Sequence, residues 1–112
     1  MNRTTTLIEA LEPLTLGPAE QLAYLAALGL PESGDELAQQ FEDAFRYAHP
    51  MGHAALDAAL RALDERFSKM SGAENAALWT PAGLAKGADW VFIRETALRA
   101  LAMARSLDAA RV

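Results

Sequence analysis

The proportion of alanine and leucine to β-branched residues constrains this chain more than any motif in it. Alanine occupies 25 and leucine 17 of the 112 positions, whereas valine and isoleucine together occupy four. Alanine and leucine lose little free energy on entering a helix, and β-branched side chains are the ones that strands favour. The composition therefore predicts an all-α protein. Short connections between the helical segments predict a compact bundle of five or six helices in a single domain, residues 1–112.

The chain contains no cysteine, which excludes disulfides and thiolate metal sites and favours a reducing compartment. Its first residues lack the continuous apolar run of a signal peptide, and no stretch is long and apolar enough to suggest a transmembrane helix. We therefore expect a cytoplasmic protein that does not associate with membranes. No cofactor motif is present, and we expect no cofactor.

The net charge of −5 is concentrated in the N-terminal part of the chain, where residues 1–48 hold eight acidic and two basic side chains. Nucleic-acid-binding domains normally carry a basic surface. The N-terminal half is acidic instead. Residues 18–48 could form a helix-turn-helix, but this segment is acidic as well, so we expect no nucleic-acid partner. Acidic surfaces usually serve solubility alone, but they also attract basic proteins. The candidate partner face consists of Glu36, Glu42 and Asp43.

Capping residues, prolines and glycines predict where the helices begin and end. The predicted segments are residues 7–12, 18–28, 33–48, 51–70, 71–79 and 81–109. Capping boxes are expected from Thr6, Ser33 and Ser71, and Pro13 is expected to end the first helix. Glycines at 83 and 87 would allow a neighbouring backbone to approach closely, and they leave open whether the last segment is one helix or two.

The fourth segment has the clearest apolar pattern. Spacings of four and three, typical of a helix-packing seam, connect Leu56, Leu60, Leu63, Phe67 and Met70. An i,i+4 series of charges, beginning at Asp57 and Arg61, is expected on its exposed side.

The sixth segment contains four consecutive apolar residues, 90–93, which would cover every side of a helix. A helix that is apolar on all sides must be buried on all sides, which is difficult in a monomer of this size. We therefore expect a homodimer to complete the core. The candidate dimer or pocket residues are Trp79, Trp90 and Phe92.

A polar cluster around residues 47–57 is the only group with the side chains for chemistry. His49, His53 and Asp57 are ligand types that zinc and non-haem iron accept. Pro50 interrupts the helical register between the two histidines, so their spacing does not place them on one face. Helix capping, a backbone hydrogen bond or a position on the surface of the first turn is the more common reason for such histidines, and we favour these explanations over a metal site.

Arg46 and His53, with six residues between them, also resemble the spacing of arginine and histidine in HEPN-type ribonucleases. Those proteins are small all-α domains that dimerise. The resemblance implies that Arg46 would stabilise a phosphoryl transition state and that His53 would transfer a proton. The helix that carries Arg46 is acidic, which does not suit an RNA substrate.

The sequence favours a non-catalytic function over these alternatives. We expect a small helical interaction or regulatory module that associates with itself or with a protein partner. The alternative is a metal-binding protein or small enzyme centred on His49, His53 and Asp57.

Overall fold

The computed structural model describes residues 2–110, and all regular structure in this range is helical. Met1 and residues 111–112, which the predicted single domain includes, lie outside the described residues. The helices are α1 (Arg3–Thr15), α2 (Pro18–Ala27), α3 (Asp35–Ala48), α4 (Ala54–Lys69), a 3₁₀ helix (Ala73–Trp79), α5 (Pro81–Lys86) and α6 (Ala88–Ala110). The all-α prediction is confirmed. None of the helices within residues 2–110 is long and apolar enough to cross a bilayer.

Helix α1 is longer at both ends than the sequence predicts. It begins at Arg3, because the Asn2 side chain caps it by accepting from the Thr5 N–H at 2.7 Å. The hydroxyl of Thr6 donates to the Asn2 carbonyl, so the expected capping box does not form. The helix also continues through Pro13, which lies in its last turn. There, the Gln21 side chain donates to the Pro13 carbonyl and satisfies part of the helix end.

The other two predicted capping boxes are also wrong. Gly34 precedes α3 and Gly72 precedes the 3₁₀ helix as N-cap residues, and neither position has a side-chain cap. Packing explains why a glycine occupies position 34, since a Cβ there would lie 2.7 Å from the Trp79 carbonyl oxygen. Helix α4 begins at Ala54 instead of 51, because His53 acts as its N-cap. Thr80 caps α5, which begins at residue 81 as the sequence predicts.

Two helices, not one, occupy the last segment. Helix α5 ends at Lys86 with Gly87 as its C-cap, and α6 starts directly after Gly87. Gly83 in α5 meets the 3₁₀ helix so closely that an added Cβ would lie 2.1 Å from the Ala77 carbonyl oxygen. The expected close approach of a neighbouring backbone is therefore confirmed at Gly83.

Helix α6 forms the centre of the bundle, and it packs against α1 and α4, while α1 also packs against α3. The apolar series predicted on the fourth segment is confirmed as core: Leu56, Leu60, Leu63, Phe67 and Met70 are all buried. Helix α1 contributes Leu7, Leu11 and Leu14, each fully buried.

Within one chain, the apolar run at the start of α6 is only partly buried. Trp90 and Ile93 are fully buried within one chain, but Val91 is 49% exposed. Phe92 is partly buried, and the Arg66 guanidinium lies 4.0 Å from its ring centroid. A single chain therefore covers Trp90 by itself, and the homodimer remains a prediction.

Candidate functional site

The turn between α3 and α4, residues 49–53, contains most of the predicted polar cluster. Asp57, in the first turn of α4, accepts from the Met51 N–H at 2.8 Å and from the Gly52 N–H at 3.1 Å. Asp57 is only 7% exposed, so the predicted exposed series of charges does not begin at this residue. The Arg3 guanidinium reaches the Pro50 carbonyl from α1 at 3.4 Å. Asp57 thus holds the turn against the start of α4.

The two histidines of this turn have different environments. The His53 Nδ1 accepts from the Leu56 N–H at 3.1 Å, which confirms the capping interpretation for this residue. The His49 ring packs against Phe45 at 4.6 Å between centroids. Its Nε2 is buried and has no hydrogen-bond partner among residues 2–110. It lies 4.0 Å from Asp57 Oδ1, beyond hydrogen-bonding distance. The structure therefore brings His49 and Asp57 together and uses His53 to cap the helix.

Neither the metal-site interpretation nor the ribonuclease-like interpretation finds all the residues that it needs in this cluster. Within residues 2–110, no three His, Asp or Glu side chains are grouped so that they could hold a metal ion. Arg46, the arginine of the ribonuclease-like spacing, forms an ion pair with Glu42 one turn before it on α3. What the geometry does provide is a buried imidazole nitrogen beside a carboxylate that already accepts two backbone hydrogen bonds.

A groove of about 380 Å³ lies between α3, α4 and the 3₁₀ helix, and we refer to it as the acidic groove. Its lining residues are Asp35, Ala38, Gln39, Phe41, Glu42, Asp64, Phe67, Ser68, Ser71 and Trp79. Three of these are carboxylates and none is basic. The structure thus places Glu42 and Trp79, predicted for different roles, on the same groove.

Aromatic packing fixes the floor of the acidic groove. The Trp79 Nε1–H donates to the Met70 carbonyl at 2.8 Å, and its ring stacks on Phe67 at 6.2 Å. Phe67 in turn contacts Phe41 at 5.7 Å, and Trp90 meets the Trp79 ring edge-on at 5.5 Å. These contacts hold Trp79 in one orientation while leaving part of its ring exposed.

The other two acidic candidates lie elsewhere on α3. Glu36 accepts from Gln40 Nε2 at 3.2 Å, and Asp43 accepts from Gln39 Nε2 at 3.0 Å. Asp43 borders a separate cleft of about 530 Å³ between α1, α2 and α3. Glu36, Glu42 and Asp43 therefore do not line one common recess.

A third surface, on the outer side of α4 and α6, is formed mainly by alanines. A shallow groove of about 670 Å³ runs between the two helices. It is lined by Ala55, Ala58, Ala59, Ala62, Thr96, Arg99, Ala102 and Met103. Leu98, beside it on α6, is 54% exposed. We refer to this groove with its flanking exposed residues on α4 and α6 as the alanine face.

A buried polar network links α1, α2, α5 and α6, and no sequence pattern indicates it. Gln21 is fully buried, and its Oε1 accepts from Arg94 Nε and Nη2 at 3.0 and 2.8 Å. Arg94 also donates to the Leu84 carbonyl at 2.6 Å. Burial lowers the pKa of the Arg94 guanidinium, because desolvation disfavours its charged form. The network joins four helices around the partly buried Arg94.

The chain matches no protein-family model, no curated protein and no solved structure.

Proposed function

We propose that this protein is a small helical interaction module that associates with itself as a homodimer through the alanine face. The observation that carries the proposal is the apolar groove between α4 and α6 with Leu98 exposed beside it. An apolar side chain that protrudes next to an apolar groove on the same surface is self-complementary, as a two-fold interface requires.

The exposed residues of both helices have the spacing of a packing seam. On α6, Val91, Glu95, Leu98 and Ala102 are all exposed and follow spacings of four, three and four. On α4, the exposed residues with the same spacings are Ala54, Ala58, Arg61 and Glu65. Such spacing aligns side chains along one side of a helix, and alanine allows a partner helix to pack closely.

The charges on the alanine face also favour self-association. Arg61 and Glu65 on α4 and Glu95 and Arg99 on α6 give this surface no net charge, whereas the whole chain carries −5. Two copies repel each other less when they approach through a surface whose charges balance. Opposite charges on each helix can also pair across a two-fold axis.

The metal-binding or enzymatic alternative has weaker support. One observation favours it, the unpaired Nε2 of His49 near Asp57. Against it, the Nδ1 of His53 accepts the hydrogen bond that caps α4, and Asp57 accepts two from the turn.

Light scattering after size-exclusion chromatography tests the proposed dimer. We expect a dimeric mass at high micromolar concentration, and a monomeric mass for Leu98→Glu under the same conditions. In the variant, two half-exposed leucines, one from each copy, are no longer buried at the interface. This makes the free energy of dimerisation less favourable by about 2 kcal/mol, which weakens dimerisation about 30-fold. Leu28→Glu is the matched control, because Leu28 is similarly exposed at 47% but lies at the end of α2.

A wild-type protein that stays monomeric at every concentration would refute the proposal. So would a Leu98→Glu variant that remains dimeric while its helical content and melting temperature match the wild type.

A further inference from the structure

We propose that the acidic groove is the docking site for an arginine-containing segment of a partner protein. The inference goes beyond self-association, because the acidic groove and the alanine face share no residue. It rests on three features of the groove. Two of its carboxylates have no paired cation, its aromatic ring is held in one orientation, and its volume suits side chains of an extended segment instead of a helix or domain.

Two of the three carboxylates of the groove lack compensating cations. Within residues 2–110, the side chains of Asp35 and Asp64 make no hydrogen bond and no ion pair. Glu42 pairs with Arg46, but both side chains are exposed, and such surface pairs are weak enough for an incoming guanidinium to replace Arg46. A recess lined by one sign of charge concentrates the potential and attracts ligands of the opposite sign. The groove therefore favours a cation.

Trp79 makes a guanidinium a better ligand than a simple metal cation. Its indole is held by the hydrogen bond to Met70 and by the stack on Phe67, so a ligand does not have to order it. Tryptophan is the strongest aromatic partner for a cation, and the flat guanidinium group stacks on aromatic rings. The same guanidinium can donate hydrogen bonds to the carboxylates at the rim.

The dimensions of the groove indicate an extended segment. A volume of about 380 Å³ is at the small end for ligand pockets, too small for a helix or a folded domain. Asp35 and Glu42 are seven residues apart on α3, which corresponds to about 10 Å along the helix axis. In a polyproline II segment, side chains three residues apart point the same way at a separation of about 9 Å. Two arginines at that spacing match the two carboxylates.

An NMR titration of the ¹⁵N-labelled protein with a blocked Arg-Pro-Pro-Arg peptide tests the proposal. We expect saturable shifts of the Trp79 indole N–H and of amides along the groove, with little change at Leu98. The same peptide with citrulline in place of arginine keeps the shape but loses the charge. We expect it not to bind.

Matched variants identify the carboxylates. Asp35→Asn and Asp64→Asn are each expected to weaken binding about two- to five-fold, and higher salt should weaken it further. Glu65→Gln, a neighbour of Asp64 on the alanine face, removes the same charge outside the groove and should change the affinity least. The monomeric Leu98→Glu variant should bind like the wild type, which separates this proposal from dimerisation.

Three results would overturn the inference. The first is equal binding of the citrulline peptide, and the second is an equal loss of affinity in Glu65→Gln and Asp64→Asn. The third is displacement of the peptide by spermidine at similar concentration, which would assign the groove to free polyamines instead of a protein segment.

Discussion

Asp57 provides the sharpest test of how the turn at the candidate site is held together. Its two carboxylate oxygens accept from the backbone N–H groups of Met51 and Gly52 at 2.8 and 3.1 Å. The residue is only 7% exposed, so water cannot easily replace the carboxylate when it is removed. We predict that Asp57→Ala destabilises the protein strongly.

The magnitude follows from the contacts. Hydrogen bonds to a charged group contribute about 1.5 kcal/mol each at the low end, so the two bonds together contribute about 3 kcal/mol. A negative charge in the first turn of α4 adds about 0.5 kcal/mol through the helix dipole. We therefore expect Asp57→Ala to lower the free energy of unfolding by about 3–4 kcal/mol. Asp57→Asn keeps one acceptor but turns an N–H₂ towards a backbone N–H, and about 2 kcal/mol is expected.

Urea unfolding followed by circular dichroism measures this change. With a slope of about 1.5 kcal/mol per molar, the midpoint of Asp57→Ala should fall by about 2 M urea. Asp64→Ala is the control, because Asp64 lies on the same helix but makes no hydrogen bond or ion pair within residues 2–110. Its midpoint should barely change. If both variants lose the same stability, or Asp57→Ala loses less than about 1 kcal/mol, the backbone hydrogen bonds do not support the turn as argued.

Three further stability changes follow from the packing. Gln21→Ala should lower the free energy of unfolding, measured with urea, by about 3–5 kcal/mol, because it leaves two buried carbonyls and Arg94 without their partner. A loss no larger than that of the exposed Gln39→Ala would contradict this. Gly83→Ala should lower stability by about 1–3 kcal/mol, since its Cβ would meet the 3₁₀ helix, and an unchanged melting temperature would show that the contact relaxes freely. His49→Phe should stay within about 1 kcal/mol of the wild type, because it removes an unpaired buried nitrogen and keeps the ring contact with Phe45. A larger loss on calorimetry would reveal a polar role for His49.

The helical class and the main seam of the bundle are predictable because they depend on local pattern. The residues from Leu56 to Met70 repeat at helical spacing and are buried as a group. Thr80 begins α5 and Gly29 follows α2, because capping preferences act over a few residues. At Gly29 the positive φ of 78° and the bond from the Leu30 N–H to the Leu25 carbonyl form a helix end of the kind that glycine favours.

The bounds of α1 were not predictable in this way. Pro13 lies inside the helix, and Gln21 from α2 satisfies carbonyls that the helix end leaves open. The N-caps at Gly34 and Gly72 likewise depend on neighbours that approach from other helices or on the backbone of the turn. Contacts between segments decide such ends, and a single sequence does not show them.

The sequence by itself determined that this chain is helical, where its strongest apolar seam runs, and which residues have the chemistry for a site. The tertiary structure decided which of those residues meet. It placed Glu42 and Trp79 on one groove with Asp35 and Asp64. It also brought His49 next to Asp57 and made His53 the N-cap of α4. The physical reason is range: helix formation and capping act within a few residues along the chain, whereas a groove or a buried hydrogen bond depends on how separate helices pack.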